Sequence, residues 1–284
     1  MDHPILQGMV QYTPVKVLAR TNFSTTVLAK HNASGDEHVI KMCKTDGVSD
    51  HTKSLVEQEA TLLKSLNHPN IIKCIDSFTR DNYVVVITEY ANVGDLQSQI
   101  LYAKEHVNTP TERQFLNQTI INLIFGQICR AIQYIHSMKI IHRDIKPSNI
   151  LLHKPKNSKL VIAKIADFGV SRILRDDQYA NTMIGTADYS APEVLAGKPY
   201  NQSCDIWGCG MILYEMTNLK FPFKRLNFYK PEPFIIETNP FTQPEQKLLI
   251  ENMITLEPER RISAENILAF PGLKKLLERC DQMY

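Results

Sequence analysis

The chain has 284 residues, of which 43% are hydrophobic and 22% charged, values near the globular average that exclude a disordered, collagen-like or membrane-bundle chain. At roughly 150 residues per domain this length allows one large domain or two lobes with a substantial core. With 32 Lys and Arg against 30 Asp and Glu, the formal charge is only +2, too small to make a nucleic acid or an anionic membrane the main partner.

Residues 1–11 lack the basic start and apolar core of a signal peptide. No stretch has the apolar length of a membrane span, and even 119–136 carries Asn122, Gln127, Arg130 and Gln133. The expected compartment is the cytoplasm, with the nucleus as the alternative. Residues 12–19, 25–30 and 37–43 are short β-branched runs that predict strands, the last two joined as a hairpin through Ser34-Gly35-Asp36. A helical period covers 52–66 until His68-Pro69-Asn70 stops it, and strands are predicted at 71–78 and 83–88. From Gly94 onward helical periodicity dominates, at 96–104, 115–138, 204–217, 243–255 and 263–268, with Pro-rich connections between Phe221 and Pro244. The expected fold class is therefore α+β, a sheet-rich lobe with one helix over about residues 1–90 joined to a mainly helical lobe over about 91–284. Cys43, Cys74, Cys129, Cys204, Cys209 and Cys280 form no C-x-x-C pair and have no histidines at zinc-finger spacing, so they are expected to be reduced and mostly buried.

The most informative segment is His142-Arg143-Asp144-Ile145-Lys146-Pro147-Ser148-Asn149, followed by Asp167-Phe168-Gly169 and then by Ala191-Pro192-Glu193. In this order and spacing the three words resemble the protein-kinase signature set, although any one of them occurs by chance and a lone Asp in a loop is ordinarily better read as a turn or helix cap. The resemblance implies that Asp144 accepts the proton of a substrate hydroxyl, that Lys146 neutralises charge on the moving phosphoryl group, and that Asn149 and Asp167 hold Mg²⁺ through oxygen ligands. It also calls for a lysine on the third strand, met by Lys41, and for a glutamate on the helix that follows. Glu59 shares its helix face with Leu55, Leu62, Leu63 and Leu66, whereas Glu57 lies with Lys53, Ala60 and Thr61. A carboxylate in an apolar stripe needs a cation, so Lys41 is expected to pair with Glu59.

The resemblance runs from about residue 12 to 277 and narrows to serine/threonine protein kinases, because Lys146 stands two residues after Asp144 and Gly185-Thr186 precedes Ala191-Pro192-Glu193. Val39-Ile40-Lys41, Gly94-Asp95-Leu96, Gln127-Ile128-Cys129 and Lys198-Pro199-Tyr200-Asn201 with Asp205-Ile206-Trp207 further resemble the NIMA-related (NEK) family. Members usually carry a coiled-coil tail, and this sequence reads as a kinase domain alone. The family places Thr88 at the gatekeeper position, Glu89 to Ala91 at the adenine-holding hinge, and Leu18, Thr26, Val39 and Leu151 around the adenine ring. It implies that Asp205 anchors the catalytic-loop backbone, that Arg261 pairs with Glu193, and that His142, Phe168, Leu63 and Cys74 belong to an apolar column, making His142 a core residue. Thr182, four residues before Thr186, falls where the family carries an activating phosphosite, and Arg143 is the cation expected to meet its phosphate.

The departure is the phosphate loop. Where the family has G-x-G-x-x-G, this chain reads Ala19-Arg20-Thr21-Asn22-Phe23-Ser24. Without glycine, the positive-φ backbone that brings N–H groups to phosphate costs about 1–3 kcal/mol per residue, leaving the Thr21, Asn22 and Ser24 side chains as donors. Two readings stay open: a protein serine/threonine kinase that transfers the γ-phosphoryl of Mg-ATP to protein substrates while binding nucleotide weakly, or a catalytically weak or inactive pseudokinase acting as a scaffold or nucleotide-gated binding module. No scaffold or cytoskeletal partner is named by the sequence.

Overall fold

The computed structural model describes residues 3–22, 24–47, 49–106, 117–156, 158, 160–168, 187–223, 236–238, 240 and 242–281; within them the side chains of Asp50, Thr52, Leu55, Glu59 and Ala187 lie outside the description. The chain divides into two compact units, Met1–Asn92 with Asp167–Thr182, and Val93–Ala166 with Met183–Tyr284.

The first unit is built on a five-stranded antiparallel sheet of order β1-β2-β3-β5-β4. Its strands are β1 (Tyr12–Arg20), β2 (Ser24–His31), β3 (Glu37–Lys44), β4 (Cys74–Arg80) and β5 (Tyr83–Glu89). Gly35, at φ 77°, turns the β2–β3 hairpin in the left-handed region that favours glycine. Strand β4 starts at Cys74, three residues later than the predicted strand, because the chain after the Pro69 stop makes only an isolated bridge at Ile71. Antiparallel pairing sets Thr26 opposite Lys41, Leu28 opposite Val39 and Val39 opposite Thr88. These residues share one sheet face because cross-strand partners point the same way and side chains alternate along each strand.

The other face carries Val27, Ala29, Ile40, Met42, Val85 and Ile87, and it is covered by an element that the periodicity does not predict. A four-residue helix α1 (Pro4–Gln7) puts Ile5, Leu6 and Met9 on this face, all three buried. The segment is held by Arg80, which donates from Nη1 to the Gly8 carbonyl at 3.2 Å, and by Asn32, which donates from Nδ2 to the Val10 carbonyl at 2.9 Å. Each buried apolar side chain contributes about 1.5–3 kcal/mol, so the N-terminal segment is part of the core. Helix α2 (Asp50–Ser65) completes this unit.

The second unit is mostly helical: α3 (Leu96–His106), α4 (Gln118–Ser137), α5 (Pro192–Leu195), α6 (Ser203–Asn218), α7 (Pro244–Met253), α8 (Ala264–Leu268) and α9 (Pro271–Asp281). Asn117 caps α4, its Oδ1 accepting from Thr119 N at 2.8 Å. The helix then buries Ile121, Ile124, Phe125, Ile128, Ala131, Ile132 and Ile135 at helical spacing. Helix α6 is buried almost all round, as befits the centre of a helical core. Gly208 lets it approach the catalytic-loop segment, since a methyl group there would sit 2.7 Å from the Ile145 carbonyl oxygen. A small three-stranded sheet of order β6-β7-β8 joins Gly94–Asp95, Ile150–His153 and Ile162–Ile165. Strands this short leave no periodic signal. All six cysteines are free and buried.

Candidate active site

Each unit holds one cluster of the residues singled out by sequence. In the second unit, Asp144 is buried, and Lys146 Nζ donates to both of its carboxylate oxygens, at 3.0 and 2.8 Å. Asn149 Nδ2 donates to Asp144 Oδ2 at 2.9 Å and to the Asp144 carbonyl at 2.8 Å. Both contacts commit the amide nitrogen and leave the Asn149 oxygen for other work. The loop that carries these residues is seated from below by Asp205 of α6, whose carboxylate accepts from the main-chain N–H of His142 at 2.9 Å and of Arg143 at 2.8 Å, and contacts His136 Nε2 at 2.9 Å. Asp205 is an anchor, as the resemblance implied, and the positive φ of Arg143, 69°, is held by this bond. His142 is buried, with Nε2 at 3.1 Å from the Ala166 carbonyl and Nδ1 accepting from Asp144 N at 3.3 Å, a core histidine whose ring braces the loop. A second buried ion pair is bidentate: Arg261 Nη1 and Nη2 donate to Glu193 at 2.6 and 2.8 Å.

Arg143 lies with its guanidinium 5.7 Å from the centre of the Tyr200 ring, a cation–π contact within the useful range. The phosphate expected to meet Arg143 would stand on Thr182. Thr182 lies outside the described residues. A pocket beside Asp144 is lined by Arg143, Ile145, Tyr189, Ala191, Val194 and Cys204. Burial pushes the Cys204 thiol up, and Asp205 and Glu193 add to this, so it is a filler and not a nucleophile.

In the first unit Lys41 pairs with Asp167. Sequence reasoning set Lys41 against Glu59, whose side chain lies outside the described residues. Asp167, singled out as a metal ligand, stands at φ 67°, and its pairing with Lys41, 126 residues away, has no signature in the residue types. Thr26, Val39, Lys41 and Thr88 share the face opposite α1. Leu18 is exposed at an irregularity of β1, Ala91 is buried, and Glu89 on β5 accepts from Lys73 N through Oε1 at 2.8 Å. Leu151 of the second unit sits on β7 opposite Lys164. Leu63, Cys74 and Phe168 are buried as expected of apolar-column residues.

The glycine-free segment makes a short hairpin tip. Thr21 N donates to the Ser24 carbonyl at 2.9 Å, Ser24 N donates to Thr21 Oγ1 at 3.0 Å, and the two hydroxyls lie 3.1 Å apart. The four residues 19–22 and Ser24 all keep negative φ, so the strain cost expected from the missing glycines is not incurred. The hydroxyls counted as phosphate donors are instead engaged with each other. Phe23 lies outside the described residues.

A family model described as the protein kinase domain matches residues 12–271. The chain belongs to the protein kinase domain family. Among curated proteins, this kinase domain is 32% identical over 274 residues to the serine/threonine-protein kinase nekl-2 of Caenorhabditis elegans, covering 93% of the chain and 74% of that protein. It is 34% identical over 268 residues to the serine/threonine-protein kinase Nek8 of Danio rerio, covering 92% of the chain and 36% of that protein. The chain thus spans well under half the length of Nek8, though most of nekl-2. Calcium-dependent protein kinase 4 of Plasmodium berghei matches at 34% over 279 residues, 95% of the chain and 50% of that protein. The kinase domain accordingly resembles the Nek serine/threonine kinases, and overall identity alone does not set them apart from other kinases. As a family, protein kinases use ATP and a divalent metal and act on proteins. Among the described residues, no helix is long and apolar enough to cross a membrane.

Proposed function

We propose that this kinase domain, residues 1–284 with lobes over about 1–90 and 91–284, transfers the γ-phosphoryl group of Mg-ATP to serine and threonine hydroxyls of protein substrates in the cytoplasm. The observation that carries the reading is the Asp144 carboxylate, buried yet held by Lys146 on both oxygens and by Asn149 on one. A buried carboxylate needs such partners, and a base oriented by them can accept a hydroxyl proton without swinging away from it. Lys146, beside the base, then offers positive charge where the transferred group gains negative charge.

Asn149 and Asp167 supply the donor set for the metal. An amide oxygen and a carboxylate are hard oxygen ligands that suit Mg²⁺, and the commitment of the Asn149 nitrogen to Asp144 leaves its oxygen for this use. Bound there, the metal supplies charge neutralisation at the phosphates. Lys41 takes the α- and β-phosphates, Glu59 being its proposed counter-ion, and Leu18, Thr26, Val39, Thr88, Glu89, Ala91 and Leu151 bind adenine. Thr182 and Arg143 form the proposed regulatory pair.

The hairpin closed by Thr21 and Ser24 favours a second reading, a nucleotide-gated scaffold with little catalysis, because its donors face one another. One experiment separates the two. Incubate the protein with Mg-ATP and a generic protein substrate, and map new phosphosites by mass spectrometry, with Asp144→Asn as control. Phosphoserine or phosphothreonine that disappears in the control supports the enzyme; equal incorporation by both proteins leaves the scaffold.

A further inference from the structure

Gln127 is part of the short Gln127-Ile128-Cys129 word, yet nothing in the phosphotransfer reading uses it. It lies in the middle of α4 and is buried, at 6% exposure. Its amide faces β8, an edge strand of the small sheet. Gln127 Oε1 accepts from Ala163 N at 2.6 Å and Gln127 Nε2 donates to the Val161 carbonyl at 3.2 Å. An N–H and a carbonyl two residues earlier point to the same side of a strand, so one side-chain amide pairs with β8 as a neighbouring strand would. A buried strand edge without such a partner would leave main-chain groups unsatisfied.

The strand so fixed ends at the catalytic loop. Immediately after β8, Ala166 N donates to the Asn149 carbonyl at 2.9 Å, and the Ala166 carbonyl receives His142 Nε2 at 3.1 Å. Asn149 in turn holds Asp144. Three residues of strand therefore connect the Gln127 amide to the proposed base and to a proposed metal ligand, and Asp167 is the next residue in sequence. A β-strand is stiff along its length, and a register or tilt error at Ala163 would be carried to Ala166.

The geometry assigns Gln127 as a positioning residue: its amide acts as a one-residue strand that fixes β8, and through Ala166 fixes Asn149 and Asp144. This assignment rests on the phosphotransfer reading for its consequence in activity, though not for the positioning itself.

The test is Gln127→Met, which keeps the length and apolar stem of the side chain and removes both hydrogen bonds. In nucleotide-free protein, the Ala163 and Ala166 amides are expected to exchange with D₂O about tenfold faster than in wild type, the size of effect that lost hydrogen bonds produce in local opening. With Mg-ATP and a protein substrate, kcat should fall about tenfold while KM for the protein substrate stays within about twofold, because the base and metal ligand move and the substrate platform does not. Faster exchange at Ala163 with wild-type exchange at Ala166, or an unchanged kcat, would overturn the assignment. If the wild type transfers no phosphate, the phosphotransfer reading fails while exchange at Ala166 still decides the positioning. Should Gln127→Met fail to fold, wild-type exchange decides: slow exchange at the edge-strand amide of Ala163 upholds the amide pairing, and exchange at the rate of an open edge refutes it.

Discussion

Tyr189 donates its phenol proton to the buried carboxylate of Glu215 at 2.5 Å, joining the segment before Ala191-Pro192-Glu193 to helix α6. Burial pushes the Glu215 carboxyl up, and although the Tyr189 hydrogen bond and Lys104 pull it back, the net direction is upward. Burial, then the charge of Glu215, pushes the Tyr189 phenol up as well, so it stays a donor at any physiological pH. A carboxyl whose titration is raised in the fold holds its proton more tightly than in the unfolded chain. Through this group, folding is favoured as pH falls through the folded titration toward the ordinary carboxylate range, and above the folded titration the charged form carries a burial cost. Glu215→Gln keeps an acceptor for Tyr189 and removes that cost, so at neutral pH it should equal or exceed wild type in urea stability, with the difference closing as pH falls through the folded titration. Tyr189→Phe leaves a buried charge with one partner fewer and should cost about 1.5–3 kcal/mol. A Glu215→Gln protein that loses stability at neutral pH would show that the charge itself is needed.

Asp144→Asn and Lys41→Met should each remove nearly all phosphotransfer while leaving the melting transition in place. Loss of a general base runs to about 10²–10⁴-fold. Rates are measured with purified protein beside a thermal melt, and a variant that retains more than a tenth of the wild-type rate contradicts the role given to that residue.

The hairpin closed between Thr21 and Ser24 predicts weak nucleotide binding. The double change Thr21→Gly with Ser24→Gly opens the hydroxyl contact and permits positive φ. One or two phosphate hydrogen bonds at about 1–1.5 kcal/mol each correspond to roughly tenfold or more in affinity. Calorimetric titration with Mg-ATP checks this; an unchanged or weaker dissociation constant refutes it.

Thr182→Ala and Arg143→Ala should be similarly impaired in activity and nearly non-additive in combination if phosphate on Thr182 meets Arg143. Arg143 would then exchange its contact with the Tyr200 ring for a charge-assisted one. Full activity in Thr182→Ala, or additive losses in the double variant, would place activation elsewhere.

Gly208→Ala should disturb the loop that carries Asp144, because the new methyl group would press on the Ile145 carbonyl, which is main chain and cannot rotate aside. Overpacking of this kind costs about 1–3 kcal/mol. A lower melting temperature together with a reduced kcat is expected, and a wild-type profile in both would show that helix α6 and the loop can separate freely.

The residue words of the site, Asp144 with Lys146 and Asn149, then Asp167, were legible in the sequence because a catalytic loop is contiguous and its spacing survives in one dimension. The strands and long helices were legible for a related reason: alternation and the helical repeat are local, so β2, β3 and α4 show their periods in their own residues. The anchoring of the loop by Asp205 and the pairing of Arg261 with Glu193 came from resemblance, and the contacts agree with it. Other features were decided only in three dimensions. A four-residue helix has no period, so the covering of one sheet face by Ile5, Leu6 and Met9 could not be read. Burial cost says that a carboxylate in an apolar helix stripe needs a cation, but it gives no sign of a carboxylate 126 residues from Lys41, and only the fold brings Asp167 to that lysine. The missing glycines announced a changed loop, whereas its closure by Thr21 and Ser24 depends on the register of β1 against β2. Gln127 shows the same limit most simply. A polar residue in an apolar helix stripe signals a buried partner, but main-chain groups 34 and 36 residues away carry no side-chain signature, and only the packing of α4 on β8 brings them to its amide.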